Sequence, residues 1–252
     1  MLNIVIPMAG LGSRFSAAGY EQPKPLIPVH GVPMIRLVIE NIRPRREHRF
    51  IFICQQEHIK SYALREKLNA WSPGCEIVGL EGITQGAACT VLHALPLIDN
   101  TAPMLIANSD QYVETQIDHY LQAADQEKLD GLIMTMKADD PKWSFVGLDP
   151  NGSVQRVVEK EVISDRATVG IYHFKRGCDF VKSASEMIAK QIRVNGEFYV
   201  APVYNEMIAK GANIGYFDIG SVDRGMYGLG TPSDLESFLK LPLSTQAAAR
   251  FA

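Results

Sequence analysis

Strand-like and helix-like segments alternate about four times within the first 110 residues of this 252-residue chain. Short apolar segments rich in β-branched residues predict buried strands at 2–8, 49–55, 76–80 and 103–110. Apolar residues at helical spacing predict helices between them, at 33–42, 57–71 and 86–95. Because consecutive parallel strands need crossover connections, this order predicts an α/β fold with a doubly wound, mostly parallel sheet.

The pattern changes after residue 130 and becomes richer in strands. Strands are predicted at 131–138 and 168–174, and residues 144–160 read as a hairpin closed by a Pro-Asn-Gly turn. Further helices are predicted at 177–192, 201–211 and 232–240. Since no repeat or linker interrupts the chain, we expect one domain over residues 1–252, with a tail at 241–252 that is frayed or used in contacts.

Composition and charge exclude several classes of partner. The chain is 46% hydrophobic and 21% charged, which is typical of a soluble globular protein, and its net charge of −3 disfavours a nucleic-acid surface. The four cysteines show no zinc-like spacing, and the first residues lack the basic start of a signal peptide. No apolar segment approaches the ~20 residues that a membrane span needs. We therefore expect a cytoplasmic location, with neither a nucleic-acid nor a membrane partner.

The segment after the first strand has the composition of an anion site. Residues 10–14 read G-L-G-S-R, and a glycine-rich turn exposes backbone N–H groups to a ligand. The glycines alone are equally compatible with an ordinary loop. However, Arg14 and Lys24 add two cations, and Pro23 and Pro25 restrict the backbone on both sides of Lys24. This arrangement favours binding of a polyphosphate.

The segment AGLGSRF…PKPLIPVHGVPMI resembles the signature of the nucleotide-sugar pyrophosphorylases, the sugar-phosphate nucleotidyltransferase family. The match includes Pro28, Gly31, Pro33 and Met34, whereas Val32 stands where a basic residue is usual. Similar segments recur to about Phe238. The resemblance implies a nucleotide-diphospho-sugar transferase fold of the GT-A/Rossmann-like type. It also implies a nucleotide-binding half at 1–130 and an acceptor-binding half with a small β-rich region at 131–240.

The resemblance assigns roles to residues of the first half. In the family the glycine loop wraps an NTP, which here implies binding by Ala9, Gly10, Gly12, Ser13 and Arg14. Arg14 and Lys24 are then catalytic, since positioned cations stabilise charge in phosphoryl transfer. The segment TQGAACT resembles a helix start that approaches the nucleobase, which implies binding by Gln85 and Gly86; Ala87 and Ala88 are expected to pack the helix.

The fourth predicted strand ends in Asn108, Ser109 and Asp110, at the edge where ligands gather in open α/β sheets. The family has a metal-binding aspartate here, which implies that Asp110 is catalytic and binds Mg²⁺, with Asn108 and Ser109 on the nucleotide. Magnesium typically takes only one or two protein carboxylates. The alternative is that Asp110 caps a following helix.

The second half resembles the acceptor side of the family. Glu159 and Lys160 match its Glu-Lys pair, and Gly170 matches the glycine against the sugar, although Glu161 and Val169 depart from the pattern. Glu197 and Tyr199 are further candidate acceptor-binding residues.

The clearest departure from the family pattern lies at Gly228, where a second metal-binding aspartate is usual. The surrounding residues keep the register: they are Gly230, Thr231, Pro232 and Asp234. Asp218 and Asp223 are the carboxylates that this comparison offers as replacements. The other possibility is that Asp110 alone holds the metal, which then arrives largely with the NTP.

These features predict a Mg²⁺-dependent enzyme that joins an NTP to a phosphorylated small molecule and releases pyrophosphate. A sugar 1-phosphate is the default acceptor, consistent with nucleotide-sugar or polysaccharide biosynthesis. Two alternatives remain open: a cytidylyltransferase for a non-sugar phosphomonoester such as phosphocholine, and a non-catalytic nucleotide-sensing subunit. A glycosyltransferase of similar fold would need a DxD motif and has no use for the P-K-P segment. A homo-oligomer is possible, and the nucleobase is left open.

Overall fold

The computed structural model describes residues 1–251, and within them an 11-stranded sheet forms the centre of the molecule. The strands are β1 (Leu2–Pro7), β2 (Pro28–Val29), β3 (Val32–Pro33), β4 (His48–Gln55), β5 (Glu76–Leu80), β6 (Met104–Ala107), β7 (Gln111–Val113), β8 (Gly131–Lys137), β9 (Ser144–Leu148), β10 (Val154–Glu159), β11 (Arg166–Phe174), β12 (Ile214–Val222) and β13 (Gly225–Gly228). The short strands β2 and β3 pair separately with each other.

The helices cover the sheet and connect its strands. They are α1 (Ser13–Ala17), α2 (Met34–Asn41), α3 (Gln56–Ser61), α4 (Leu64–Trp71), α5 (Ala87–Leu92), α6 (Leu95–Ile98), α7 (Ile117–Gln126), α8 (Gly177–Ala189), α9 (Val203–Ile208), α10 (Pro232–Leu239) and α11 (Pro242–Ala249). A 3₁₀ turn spans Lys24–Leu26. No helix within the described residues is long and apolar enough to cross a membrane.

The sheet order is β5-β4-β1-β6-β11-β8-β12-β13-β7. Strands β5, β4, β1, β6, β8, β12 and β13 all run in one direction, and β11 lies antiparallel between β6 and β8. Residues of β1 alternate between two cores: Ile4 and Ile6 pack on one face of the sheet and Val5 on the other. A strand covered on both faces must be apolar throughout, which explains the continuous apolar segments of the first half. The predicted doubly wound, mostly parallel α/β fold is confirmed.

The predicted hairpin is formed by β9 and β10, which pair antiparallel. Its turn is held by Asp149, whose carboxylate accepts hydrogen bonds from the backbone N–H groups of Asn151 and Ser153 at 2.8 and 2.9 Å. The hairpin joins the main sheet through pairing of Phe145 with Ala167 of β11.

Several predicted elements differ in the structure. The predicted helix at 57–71 is two helices, because Ala63 adopts φ 48° between α3 and α4, and the predicted helix at 86–95 divides into α5 and α6. The predicted tail contains α11, which excludes the frayed alternative and agrees with the alternative that the tail makes contacts. Ala247 and Ala248 of that helix are buried in a third core that includes Leu229 and Phe238. The last residue of the predicted tail lies outside the described residues.

Strands β2, β3, β7, β12 and β13 were not predicted, and two of them, β7 and β13, shape the carboxyl edge of the sheet. β7 pairs antiparallel with β13, which places Gln111 opposite Gly228. The Leu229 N–H also donates to the carbonyl of Asp110 at 2.8 Å. The segment after β13 therefore lies beside the residue Asp110 that follows β6, at the carboxyl edge of the parallel strands.

Candidate active site

A cleft of about 590 Å³ opens at this edge of the sheet. Its walls come from the loop after β1, the end of β6, the loop before β9 and the segment after β13. The lining residues include Ser13, Arg14, Lys24, Asn108, Asp110, Gln111, Lys142, Trp143, Lys160, Gly228, Gly230, Thr231 and Asp234. A second cavity of about 290 Å³ shares Arg14, Asn108, Lys142, Trp143 and Lys160 with the first. The two cavities thus form one continuous site.

Lys24 and Asp110, predicted from distant motifs, contact each other in the cleft. Lys24 Nζ donates to Asp110 Oδ2 at 2.8 Å. Asp110 does not cap a helix, because β7 begins at the next residue and α7 begins only at Ile117, after Gln116. The helix-capping alternative is therefore wrong. The structure instead places a carboxylate and an ammonium group at the carboxyl edge of the parallel strands, where they are partly accessible.

The glycine loop approaches Lys24 closely. A Cβ atom on Gly12 would lie 3.1 Å from Lys24 Cβ, so a side chain at this position would press against the lysine. Ser13 and Arg14, in the first turn of α1, are exposed and line the cleft. The loop is held from behind by the buried Gln55, whose amide donates to the carbonyls of Ala9 and Gly82 at 2.5 and 2.9 Å. This contact holds the backbone at Ala9, where the loop begins.

The predicted acceptor residues Glu159, Lys160, Gly170 and Tyr199 line the second cavity. Glu159 is buried and accepts a hydrogen bond from the Ser144 hydroxyl, and burial raises the pKa of its carboxyl group. Lys160 Nζ donates to the Tyr199 hydroxyl at 2.6 Å and lies 4.8 Å from the centre of the same ring. That hydrogen bond is the main cause of a raised pKa at Lys160. The cavity thus combines a carboxyl group, a cation and aromatic walls.

Gly170 lines the second cavity and is packed against amide side chains. Its φ of 79° disfavours other residues, and a Cβ atom there would lie 2.8 Å from Gln111 Oε1. Its carbonyl accepts a hydrogen bond from the Asn108 N–H at 2.9 Å. The absence of a side chain at Gly170 therefore lets Asn108 and Gln111 pack closely at the floor of the site.

Gln111 is a candidate site residue that the sequence did not reveal. It is 3% exposed, it lines the cleft, and its Nε2 atom has no hydrogen-bond partner within residues 1–251. A buried donor without a partner costs on the order of 1–3 kcal/mol, so such groups in native proteins usually need an explanation. Here the amide nitrogen itself is shielded from solvent, so a ligand oxygen would reach it only after the side chain rotates toward the cleft.

The sequence analysis did not predict Lys142 and Trp143 as site residues, although each of them lines the first and the second cavity. Lys142 Nζ lies 5.0 Å from the centre of the Trp143 ring, and Trp143 Nε1 is a second buried donor without a partner in the described chain. The available signal was the segment D-D-P-K-W-S, which joins a proline turn, a cation and an aromatic residue directly before β9.

Other predicted site residues lie away from the two cavities. They are Ala9, Gly10, Gln85, Gly86, Ser109 and Glu197, which line neither cavity. Gly86 has a packing role: its φ is 116°, and a Cβ atom would lie 2.5 Å from the Phe198 carbonyl oxygen. The carbonyl of Gln85 accepts a hydrogen bond from the Phe198 N–H at 2.8 Å. Contact of these six residues with substrate stays a prediction.

The structure places neither replacement candidate for the aspartate missing at Gly228 in the cleft. Asp218 and Asp223 are both exposed, and neither lines the two cavities. Asp218 instead accepts a hydrogen bond from the Gly220 N–H, while Asp223 lies in the turn between β12 and β13 with φ 59°. The carboxylate that does lie beside Gly228 belongs to Asp234. A Cβ atom on Gly228 would be 3.6 Å from Asp234 Cγ.

Comparison with known proteins identifies the family of the chain. Residues 4–223 match the family model described as nucleotidyl transferase. Among curated proteins, the chain is 30% identical over 169 residues to the bifunctional protein GlmU of Cupriavidus metallidurans, covering 65% of the chain and 34% of that protein. It is 26% identical over 223 residues to GlmU of Paraburkholderia phymatum, covering 84% of the chain and 46% of that protein. The chain thus spans less than half the length of these two relatives.

Solved structures with the same fold include a nucleoside-diphosphate-sugar pyrophosphorylase from Vibrio cholerae RC9. The TM-score is 0.78 at 30% identity, over 94% of this chain and 100% of that one. A UDP-glucose pyrophosphorylase complexed with UDP-glucose gives a TM-score of 0.76 at 15% identity, with full coverage of both chains, and supports the fold alone. Together with the match over residues 4–223, these findings show that the chain belongs to the nucleotidyl transferase family, with the GT-A/Rossmann-like fold of the sugar-phosphate nucleotidyltransferases.

Proposed function

We propose that the protein transfers a nucleotidyl group from an NTP to a sugar 1-phosphate and releases pyrophosphate. The observation that carries the proposal is the placement of Lys24 beside Asp110, in a cleft that Arg14, Lys142 and Lys160 also line. Four cations around one cleft, in a chain of net charge −3, suit a reaction between two phosphorylated molecules. The description of the Vibrio cholerae relative as a nucleoside-diphosphate-sugar pyrophosphorylase supports the same reaction.

In the proposed reaction an oxygen of the acceptor phosphate attacks the α-phosphorus of the NTP. A new P–O bond forms there as the bond between the α-phosphorus and the bridging oxygen breaks, and pyrophosphate leaves with that electron pair. No covalent intermediate on the protein is required. Lys24 stabilises the charge that develops on the α-phosphate, and Arg14 binds the triphosphate. Lys142 and Lys160 hold the acceptor phosphate on the opposite side of the cleft.

A magnesium ion fits the carboxylate donors of the cleft. Asp110 would hold it, since Mg²⁺ prefers oxygen ligands and keeps several waters. No cluster of three or more His, Cys, Asp or Glu side chains occurs within residues 1–251, so most ligands would come from phosphate and water. When bound, the ion would neutralise and orient the phosphate groups.

The second cavity favours a polyhydroxylated acceptor over a quaternary ammonium such as choline. Quaternary ammonium groups bind on aromatic faces, but the Tyr199 ring already has the Lys160 ammonium 4.8 Å from its centre. A second cation at this position would be repelled. Glu159 and Ser144, joined by a hydrogen bond, offer oxygen atoms that can bind sugar hydroxyls.

The test crosses the four common NTPs with a panel of phosphorylated sugars, phosphocholine and other phosphomonoesters, with mass spectrometry of the products. We expect an NDP-sugar and pyrophosphate from at least one pair, and none from the Lys24→Ala variant on the same timescale. A CDP-choline product would replace the sugar assignment. If every pair gave no product while NTP still bound, the non-catalytic nucleotide-sensing alternative would be supported.

A further inference from the structure

Gly228 lines the cleft without a side chain and so leaves space beside Gln111. Gly228 of β13 pairs directly with Gln111 of β7, and side chains of opposed residues project to the same face of a sheet. A side chain at position 228 would therefore lie beside the residue that follows Asp110. The family pattern places an aspartate there, and this chain has none.

Asp234, six positions later along the chain, brings a carboxylate into that space. Its Cγ and Oδ2 atoms lie 3.6 and 3.7 Å from where a Cβ atom of residue 228 would be. Asp234 is held by its backbone: it is the third residue of α10, and its N–H donates to the Thr231 hydroxyl at 3.1 Å. Because this cap uses the backbone, the carboxylate stays free, and it makes no hydrogen bond or ion pair within residues 1–251.

A glycine also lies next to the other carboxylate. A Cβ atom on Gly230 would be 2.9 Å from Asp110 Oδ2, so any other residue would press against that oxygen. The segment from Gly228 to Gly230 therefore passes close to Asp110 and to Asp234 and presents no side chain at either point. Both carboxylates can approach a ligand in the same cleft.

Gln111 provides a second, independent observation in this part of the cleft. It is 3% exposed, lines the same cavity as Asp110 and Asp234, and its amide nitrogen has no partner in the described chain. An amide donor cannot pair with a cation, but it can pair with a phosphate oxygen that the cation holds. Two carboxylates and an unpaired donor together match a complex of a divalent cation with a phosphate.

We propose that Asp234 is the second protein carboxylate for the divalent cation, in place of the aspartate missing at position 228. The inference rests on the proposed function for the identity of the bound phosphate. Asp234 is one of the residues that keep the family register, so the chain would use a carboxylate of helix α10 as its second acidic ligand where the aspartate of strand β13 is absent.

The experiment measures binding of Mn²⁺, with free Mn²⁺ followed by electron paramagnetic resonance, alone and with inorganic tripolyphosphate. The variant is Asp234→Asn, which keeps the size of the side chain and the backbone cap. We expect its Mn²⁺ affinity to fall by roughly tenfold or more, since even removing a residue that only supports a metal ligand typically costs this much. The controls are Glu236→Gln, an exposed residue of the same helix, and Asp218→Asn and Asp223→Asn. Their affinities are expected to stay within about twofold of wild type, as surface charges outside the cleft are largely screened.

A second variant moves the carboxylate back to the strand. Gly228→Asp combined with Asp234→Ala leaves one carboxylate in the same space, and a Cβ atom at Gly228 meets only ordinary van der Waals contacts. We expect this double variant to recover Mn²⁺ binding that Asp234→Ala alone loses, with melting temperatures reported for all variants. Recovery excludes a merely structural role for Asp234.

Unchanged Mn²⁺ affinity in a folded Asp234→Asn variant would overturn the proposal, as would a loss confined to Asp218→Asn or Asp223→Asn. Failure of the double variant to recover binding that Asp234→Ala loses would also count against it. The outcome is separable from the proposed function. If no pair of substrates gives product but Asp234→Asn loses Mn²⁺, the cation site stands without the reaction. If product forms and Asp234→Asn binds Mn²⁺ normally, the reaction stands without this ligand.

Discussion

The ammonium nitrogen of Lys24 lies 2.8 Å from a carboxylate oxygen of Asp110, 86 positions further along the chain. Their side chains are 21% and 24% exposed, so the pair is accessible from the cleft and only partly screened by water. Each group balances the charge of the other until phosphate binds. A triphosphate would compete for Lys24 and a cation for Asp110, so we expect substrate binding to separate the pair.

Lys24→Ala tests the catalytic role of the lysine. We expect kcat to fall by roughly 10²–10³, the usual loss for a preorganised charge-stabilising group, with nucleotide affinity kept within about an order of magnitude. Steady-state kinetics with the best NTP and acceptor measure this effect. The matched control is Lys182→Ala, an exposed lysine of α8 that lines neither cavity. A near wild-type kcat in Lys24→Ala would remove this residue from the mechanism.

Asp110→Asn removes a charge and keeps the size of the side chain. We expect metal-dependent turnover to be abolished while the fold is retained, because the backbone of Asp110 is held by Leu229 and not by its side chain. Activity across a magnesium titration and thermal melting followed by circular dichroism measure the two effects separately. If the melting temperature dropped sharply and activity survived, Asp110 would be a structural partner of Lys24 instead of a metal ligand.

Gln111→Met replaces the unpaired amide with an apolar side chain of similar length. We expect the free energy of unfolding to be unchanged or to rise by about 1 kcal/mol, since a buried donor without a partner is removed. The KM for one substrate should rise by roughly 10–100-fold, the loss of a hydrogen bond to a charged oxygen. Urea unfolding and separate titrations of NTP and acceptor identify which substrate the amide contacts. Lower stability with unchanged kinetics would show that Gln111 is only structural.

Tyr199→Phe removes the hydroxyl that accepts the hydrogen bond from Lys160. The ring stays in place, so only the positioning of the ammonium group changes. We expect the KM for the acceptor to rise about 3–10-fold, corresponding to a net hydrogen bond of ~1 kcal/mol, while the KM for the NTP stays the same. Equal changes in both KM values would contradict the assignment of Lys160 and Tyr199 to the acceptor.

His173 predicts acid sensitivity of the fold. It is 3% exposed, its Nδ1 has no partner within the described residues, and burial lowers its pKa from 6.5 to about 4. The nearby charges are opposed: Asp125 favours protonation of His173, and Arg46 disfavours it. In the unfolded chain this histidine binds a proton below about pH 6.5, whereas in the folded chain it binds one only below about pH 4. The free energy of unfolding therefore falls as the pH falls through that window.

The expected loss from this histidine is about 2 kcal/mol between pH ~7.5 and ~5, from the linkage relation with these two pKa values. Urea unfolding at both pH values measures it, and His173→Leu provides the comparison because it cannot titrate. The free energy of unfolding should fall by this amount in wild type and should not show this loss in His173→Leu. An identical pH dependence in both would mean that other groups dominate acid unfolding.

Local patterns in the sequence determined much of the fold. Strands β1, β4 and β6 each contain a continuous apolar segment because both of their faces are covered, and this property is readable without any partner strand. The loop around Arg14 and the proline-flanked Lys24 were equally readable, since their role depends on residues close together in sequence. Short strands such as β7, with three residues, carry no such signal.

Tertiary structure alone decided which distant side chains share the site. The ion pair between Lys24 and Asp110 depends on the alignment of β1 with β6, and the approach of Asp234 depends on the pairing of β7 with β13. Nothing in the sequence distinguishes Gln111 from an ordinary polar residue; its burial and its unpaired amide are properties of the tertiary structure. The chemical groups near the carboxyl ends of the strands can be identified from the sequence. Strand pairing decides their distances, because contacts between residues far apart in the chain are made by packing and leave no mark in the local pattern.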